Sequence, residues 1–295
     1  MTVLLSVVFT IGLFLDAWAH NNVPKLETFF TPWHAVFYSG FVATAAWVVW
    51  TVRDRQAIPQ GYGPAVLAVL GFAVAGVGDA AWHSVFGVEQ SLNILFSPTH
   101  LGLVTAMLVI VTTPLRAAWA DPDLSGAPGL RRLLPALLSM ALATTLVLLF
   151  LQYANAFAHS SEDVVYGLSG ADEGHSARLV ASFAVTTAVL VVPLLKIARR
   201  WALPFGTATV LFAFVGALSL AVTGFDNVEL IVGLLATGVR VDALARWLRP
   251  APHRPLRYRL FAALVPLLTW TVFIAVGYAV AGSVRLPPEA GGGHP

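Results

Sequence analysis

The chain has no cysteine, which excludes disulfides, thiolate metal sites and thioether-linked haem. Only 3 of its 295 residues are methionine. That is too few for a methionine-lined copper conduit, so soft-metal binding would fall to histidine. Charge is scarce, at 11% of residues, where a soluble domain carries roughly 25%. Three catalytic signatures are also missing: His-Glu-x-x-His, a phosphate-binding glycine loop, and Gly-x-Ser-x-Gly. Their absence removes the common metalloprotease, nucleotide-hydrolase and serine-hydrolase readings.

What remains is apolar. Hydrophobic residues make up 58% of the chain, and mean hydropathy is +0.78. Nine apolar runs reach membrane-crossing length, about 17–25 residues each. They cover 2–20, 33–52, 63–83, 99–119, 131–158, 175–197, 204–223, 227–248 and 258–282. Lipid admits only helices or closed barrels, and runs without a period of two predict helices. The expected fold is all-α: a polytopic transmembrane bundle of about nine spans, built from repeated helical hairpins. Residues 1–284 form that one domain, and the Pro- and Gly-rich tail 285–295, with His294, reads as disordered. Residues 1–19 lack a basic stretch before the apolar run, so they read as a span rather than a cleaved leader.

Arg and Lys fall on one side of these spans, except Lys25, Arg178 and Arg285. The positive-inside rule then puts the N-terminus in the cytoplasm and the odd-to-even connections outside. The expected location is the inner (plasma) membrane, crossed many times. The pI near 9.2 follows from these anchoring loops and carries no nucleic-acid signal.

Six of the 8 histidines fall into one pattern that occurs three times. The first copy is Asp16, His20 and His34; the second is Asp79, His83 and His100; the third is Asn155, His159 and His175. In each, an oxygen ligand precedes a histidine by four residues, placing both on one helix face. The second histidine opens the next run. In the first two copies it follows Thr31-Pro32 or Ser97-Pro98, an N-cap and a proline at the first helical position. Each copy thus offers two imidazoles and one oxygen to a single point, a metal-site inventory. The Asn155 amide makes the third copy neutral and a weaker site for a hard ion.

Acidic residues in the connecting loops, Glu27, Glu89 and Glu162 with Asp163, could orient the imidazoles or remain solvated. Trp18, Trp33 and Trp82 fit an interfacial aromatic belt. Asp226, Glu229 and Arg178 lie near the outer face and are candidates for mutual pairing or a proton path. Arg240 and Asp242 are expected to pair near the inner face. A fourth hairpin, around Gly224-Phe225-Asp226-Asn227, lacks histidine.

Asp79-Ala80-Ala81-Trp82-His83 followed by Ser97-Pro98-Thr99-His100 resembles the membrane copper motif in the C subunit of particulate methane and ammonia monooxygenases. That family carries Asp-Ala-Ser-Trp-His and then Thr-Pro-Ser-His. Asn155, His159 and His175 resemble its later Asn-x-x-x-His and His. The likeness spans roughly residues 75–180. Two features depart from the family: the loop between His83 and His100 is longer, and the Asp16/His20/His34 set is additional.

The resemblance implies copper at Asp79, His83 and His100, and a second position at Asn155, His159 and His175. It also implies a copper-dependent monooxygenase-like oxidoreductase acting on a small apolar substrate from the lipid. Asp79, His83 and His100 would be its catalytic residues, and a homo-oligomer or other monooxygenase-type subunits its partners. The alternative is a membrane protein for copper handling, storage or delivery. A His/carboxylate inventory does not by itself separate copper from iron or zinc.

Overall fold

Long apolar runs in this chain close their backbone hydrogen bonds within helices, and the computed structural model contains no strand among the described residues. Those residues are 1–23, 31–53, 56–86 and 96–282. The helices are α1 (Thr2–Asn22), α2 (Pro32–Arg53), α3 (Gly63–Phe86), α4 (Pro98–Val111), α5 (Thr113–Ala120), α6 (Leu130–Phe150), α7 (Ser161–Ser169), α8 (Glu173–Arg200), α9 (Thr207–Thr223), α10 (Val228–Leu248) and α11 (Pro255–Ala281). Seven are long and apolar enough to cross a membrane, counting α4 and α5 as one nearly continuous rod. Of the remaining two runs, α9 is apolar but has 17 residues, and α10 carries Glu229, Arg240, Asp242 and Arg246. The tail expectation for 285–295 lies outside the described residues.

Sequential helices pack against one another: α1 on α2, α3 on α4, α9 on α10, and α10 on α11. The interior falls into two apolar cores. One gathers α6 and α8–α11 around Phe157, Phe212, Phe261 and Phe273. The other gathers α1–α4 around Phe9, Phe37, Phe72 and Met107, with Leu142 and Leu146 of α6 closing it.

Glycine sets the spacing in the second of these cores. A methyl group placed on Gly12 would meet the Phe37 Cα at 2.8 Å, and one on Gly40 would meet the Phe9 Cα at 2.8 Å. Only hydrogen fits at these crossings, so the backbones of α1 and α2 approach closely, as in small-residue membrane contacts. Phe9 then stacks on Phe37, with ring centroids 5.3 Å apart, and sets its edge to Phe72 at 5.2 Å.

Two local departures from the expected spans have clear causes. The run 99–119 breaks at Thr112, because Pro114 offers no amide hydrogen. Arg116 folds back there, donating to the Thr112 and Thr113 hydroxyls and to the Gly61 carbonyl. The run 131–158 ends as a helix at Phe150 and continues as two 3-10 turns, Gln152–Ala154 and Ala156–Ala158. Asn155 caps the second turn, its side chain accepting the Phe157 amide hydrogen at 3.1 Å. At the other end of the bundle, Asp242 does not pair with Arg240. It is buried and accepts from the Ala208 and Thr209 amides and the Thr209 hydroxyl, holding the start of α9, where the helix dipole favours a carboxylate.

Candidate metal centre

Asp79 and His83 stand one turn apart near the end of α3, and His100 stands in the first turn of α4. Ser97 fixes that first turn: its Oγ accepts the His100 amide hydrogen at 3.2 Å and lies 2.6 Å from His100 Nδ1. Pro98 follows at the first helical position, where its missing N–H costs nothing. Thr31 and Pro32 do the same for α2, with the His34 amide donating to the Thr31 hydroxyl at 3.1 Å. Both closing histidines are therefore presented by a capped, proline-started helix, as the spacing predicts.

The structure brings Asp79, His83 and His100 together. One ligand atom from each can be chosen so that all lie within 4.8 Å of one another, and no other such group of histidine and carboxylate ligands occurs among the described residues. Asp79 Oδ1 is 3.6 Å from His83 Nε2 and 3.6 Å from His100 Nδ1. A tetrahedral ion with bonds of about 2.0–2.2 Å has ligand-to-ligand edges of about 3.3–3.6 Å. The donor set and its spacing thus fit a first-row transition metal.

The described residues of the first copy, Asp16 and His34, lie beside the second. Asp16 Oδ2 is 3.5 Å from His34 Nε2, and the His34 and His83 rings lie 6.4 Å apart between centroids. Exposure is 8% for Asp16, 5% for His34, 1% for Asp79 and 5% for His83. Buried carboxylates demand compensation, and each has a histidine facing it. A cavity of about 30 Å³ lies among Asp16, His34, Tyr38, Asp79 and His100, with apolar walls from Leu103 and Phe150. The side chain of His20, and the whole of Glu27 and Glu89, lie outside what is described.

Three neighbours were not singled out in the sequence. The Thr99 hydroxyl donates to Asp79 Oδ1 at 2.9 Å, and the Tyr38 hydroxyl faces Asp79 Oδ2 at 3.4 Å. Gly76 leaves room for that tyrosine, since a methyl group there would meet its ring at 3.1 Å. Tyr38 was findable as the residue one turn beyond His34, on the same face. Thr99 lies inside the Ser97–His100 motif. Ser97 was read as a cap, and its contact with the His100 ring was missed.

The third copy is arranged differently. The helix ends before Asn155, so Asn155 and His159 do not share a helical face. Asn155 Oδ1 caps the 3-10 turn, and its amide faces Ser219 at 3.5 Å. His159 Nε2 lies 3.3 Å from the Ser182 hydroxyl, and His175 Nε2 lies 3.2 Å from the Asp163 carbonyl. Burial holds His159 below the usual histidine range, the nearby His175 adds to this, and Asp163 opposes it. Asp163 closes a capping box with Ser160 at the start of α7, while Glu162 is exposed in the same turn. Among the described residues no ion pair joins Arg178 to Asp226 or Glu229.

The aromatic neighbours are in place at this end of the bundle. Trp18 and Trp33 meet edge to face at 5.7 Å, and Trp82 packs on Phe86 at 4.5 Å. No family model, curated protein or solved structure matches the chain.

Proposed function

We propose that this chain is an integral membrane metalloprotein that holds copper at Asp79, His83 and His100 and acts as a monooxygenase-like oxidoreductase on small apolar molecules. The observation that carries the metal assignment is the meeting of those three ligand atoms within 4.8 Å of one another, beside a cavity that Asp79 and His100 line. The choice of copper and of oxidoreductase chemistry rests on the likeness of the Asp79–His83 and Ser97–His100 motifs to the monooxygenase C subunit.

When bound, copper supplies one-electron and dioxygen chemistry. The chain supplies the surroundings. Asp79 brings the negative charge that a cationic centre requires, Thr99 fixes its Oδ1 atom, and Ser97 fixes the His100 ring. The apolar walls keep bulk water out and suit a reactant that arrives from lipid. Partner subunits of monooxygenase type, or a second copy of the chain, would provide the electron supply.

The topology proposed for this function has nine spans: the seven long apolar helices together with α9 and α10. Helical hairpins α1–α2 and α3–α4 are its repeated unit. The distribution of Arg and Lys supports a cytoplasmic N-terminus in the inner (plasma) membrane, with the centre at the extracytoplasmic end.

A second reading, copper storage or delivery, is favoured by one observation. At about 30 Å³ the cavity suits ions or water and is well below the roughly 300–1,000 Å³ of organic-ligand pockets. Metal analysis and electron paramagnetic resonance on the purified full-length chain test the assignment. Copper that is retained through dialysis, gives a histidine-coordinated signal and is lost in His83→Ala supports it; a wild-type chain that takes up no copper refutes it. Slow exchange with a chelator then favours catalysis, and rapid exchange favours delivery.

A further inference from the structure

A second cleft lies away from the metal centre. Trp119, at the far end of the α4–α5 rod from His100, meets Trp201 edge to face at 5.2 Å. Trp201 lines this cleft, which is thereby set at the other end of the bundle. It measures about 590 Å³, within the roughly 300–1,000 Å³ of organic-ligand pockets. The ends of α8 and α10 and the α10–α11 connection enclose it, with Gly126 of the α5–α6 loop.

Arg199, Arg200, Arg246, Arg249 and Arg254 line the cleft with His253, and no carboxylate does. Among the described residues none of the five arginines forms an ion pair. Two acids on the packed elements are engaged elsewhere. Asp121 holds the Asp123 amide in its own loop, and Asp242 holds the start of α9. Helix polarity does not account for so many cations. Two helix C-termini present about half a negative charge each, about one in sum, against five guanidiniums. Arg200 also keeps its Nε buried with no hydrogen-bond partner, while its Nη2 faces the Asp121 carbonyl at 3.5 Å.

The frame is fixed before any ligand arrives. Trp201 is 2% exposed, and its indole donates to the Leu124 carbonyl at 2.7 Å. The Ala202 amide donates to the Gly126 carbonyl at 2.9 Å. Arg249 ends α10 in the left-handed region, at φ 49°, and Pro250, Pro252 and Pro255 stiffen the chain beyond it.

We infer that this cleft binds a ligand carrying two phosphate groups. Planar guanidiniums pair with phosphate oxygens two at a time, and here they come from three segments of the chain. The ligand is either a lipid headgroup or a free diphosphate anion. The rim favours the lipid: Trp247, next to Arg246, is 74% exposed, and Leu256, two residues after Arg254, is 70% exposed. In the proposed topology this end meets the anionic cytoplasmic leaflet. The inference does not depend on the metal reading.

The test uses the full chain in detergent, offered diphosphatidylglycerol, phosphatidylcholine or inorganic pyrophosphate. Lipid phosphorus is counted after gel filtration, and pyrophosphate is titrated by calorimetry. The wild type should retain diphosphatidylglycerol and not phosphatidylcholine. Arg200→Gln, Arg246→Gln and Arg249→Gln combined should weaken binding about fivefold for each arginine removed. Arg131→Gln, Arg132→Gln and Arg259→Gln combined remove the same charge outside the cleft and should leave binding unchanged. Pyrophosphate that displaces the lipid places both sources in the cleft; pyrophosphate binding without lipid retention assigns it to a free anion. Equal losses in the two triple variants would reduce the cleft to general basic surface and overturn the proposal. So would a wild type that binds neither diphosphatidylglycerol nor pyrophosphate. Helical circular dichroism identifies a variant that failed to fold, and Arg246→Gln alone, at an exposed position, then decides.

Discussion

Replacing Thr99 with valine tests whether the site is built around Asp79. Valine keeps the branched shape of threonine and removes only the hydroxyl that donates to Asp79 Oδ1 at 2.9 Å. Asp79 is 1% exposed, so bulk water does not replace the lost donor. A hydrogen bond to a charged group contributes about 1.5–3 kcal/mol, and about 1.4 kcal/mol corresponds to a tenfold change in binding. Groups that orient a metal ligand commonly contribute about 10–100-fold in affinity. The two routes agree, so Thr99→Val is expected to bind copper about 10–100-fold more weakly. The assay is competition against a chromophoric chelator, with wild type, Thr99→Val and Thr99→Ser in parallel. Serine restores the hydroxyl and should restore affinity. The reasoning fails if valine leaves the dissociation constant unchanged, or if serine weakens binding as far as valine does.

Other outcomes follow from neighbouring features. Gly12→Val would press a side chain into the Phe37 backbone. It should cost about 1–3 kcal/mol of stability and widen the α1–α2 crossing, read as a lower melting temperature. His159→Ala should leave copper content at the Asp79 cluster unchanged, because His159 faces Ser182 instead; loss of that copper would contradict the assignment. Metal removal should lower the melting temperature, since a ligand at about 100 times its dissociation constant adds about 2.7 kcal/mol; coincident melts with and without chelator would argue against a preformed site. Burial holds His159 below the usual histidine range, so the unfolded chain takes up a proton that the folded chain refuses. Stability from this source is complete above that range and declines as pH falls through it. Between about pH 7.5 and about pH 5.5, His159→Gln should lose less stability than wild type in the metal-free state.

The helices were legible because lipid leaves an apolar run little choice, and the caps because Thr31-Pro32 and Ser97-Pro98 act locally. Where span 131–158 fails, the reason is also local. Asn155 satisfies a backbone amide two residues on and caps a 3-10 turn, so it does not share a helical face with His159. That Asp16 and His34 would lie beside Asp79 and His100 was not legible. It depends on how α1–α2 leans against α3–α4, through contacts such as Gly76 with Tyr38, between residues far apart in sequence. Spacing within each motif identified the ligand types. It carried no information on which copies would face one another. Asp242 illustrates the same limit: its neighbour Arg240 suggested an ion pair, yet the fold uses Asp242 to hold another helix's first turn.

Phe37 lines the cavity floor, and behind it Phe9, Phe41 and Phe72 interlock, with the Phe41 and Phe72 rings only 4.2 Å apart. These four rings carry no group to accept an ion or proton in transit. Below the cavity, the four helices α1–α4 therefore offer a cation aromatic faces and no oxygen or nitrogen ligand from these rings.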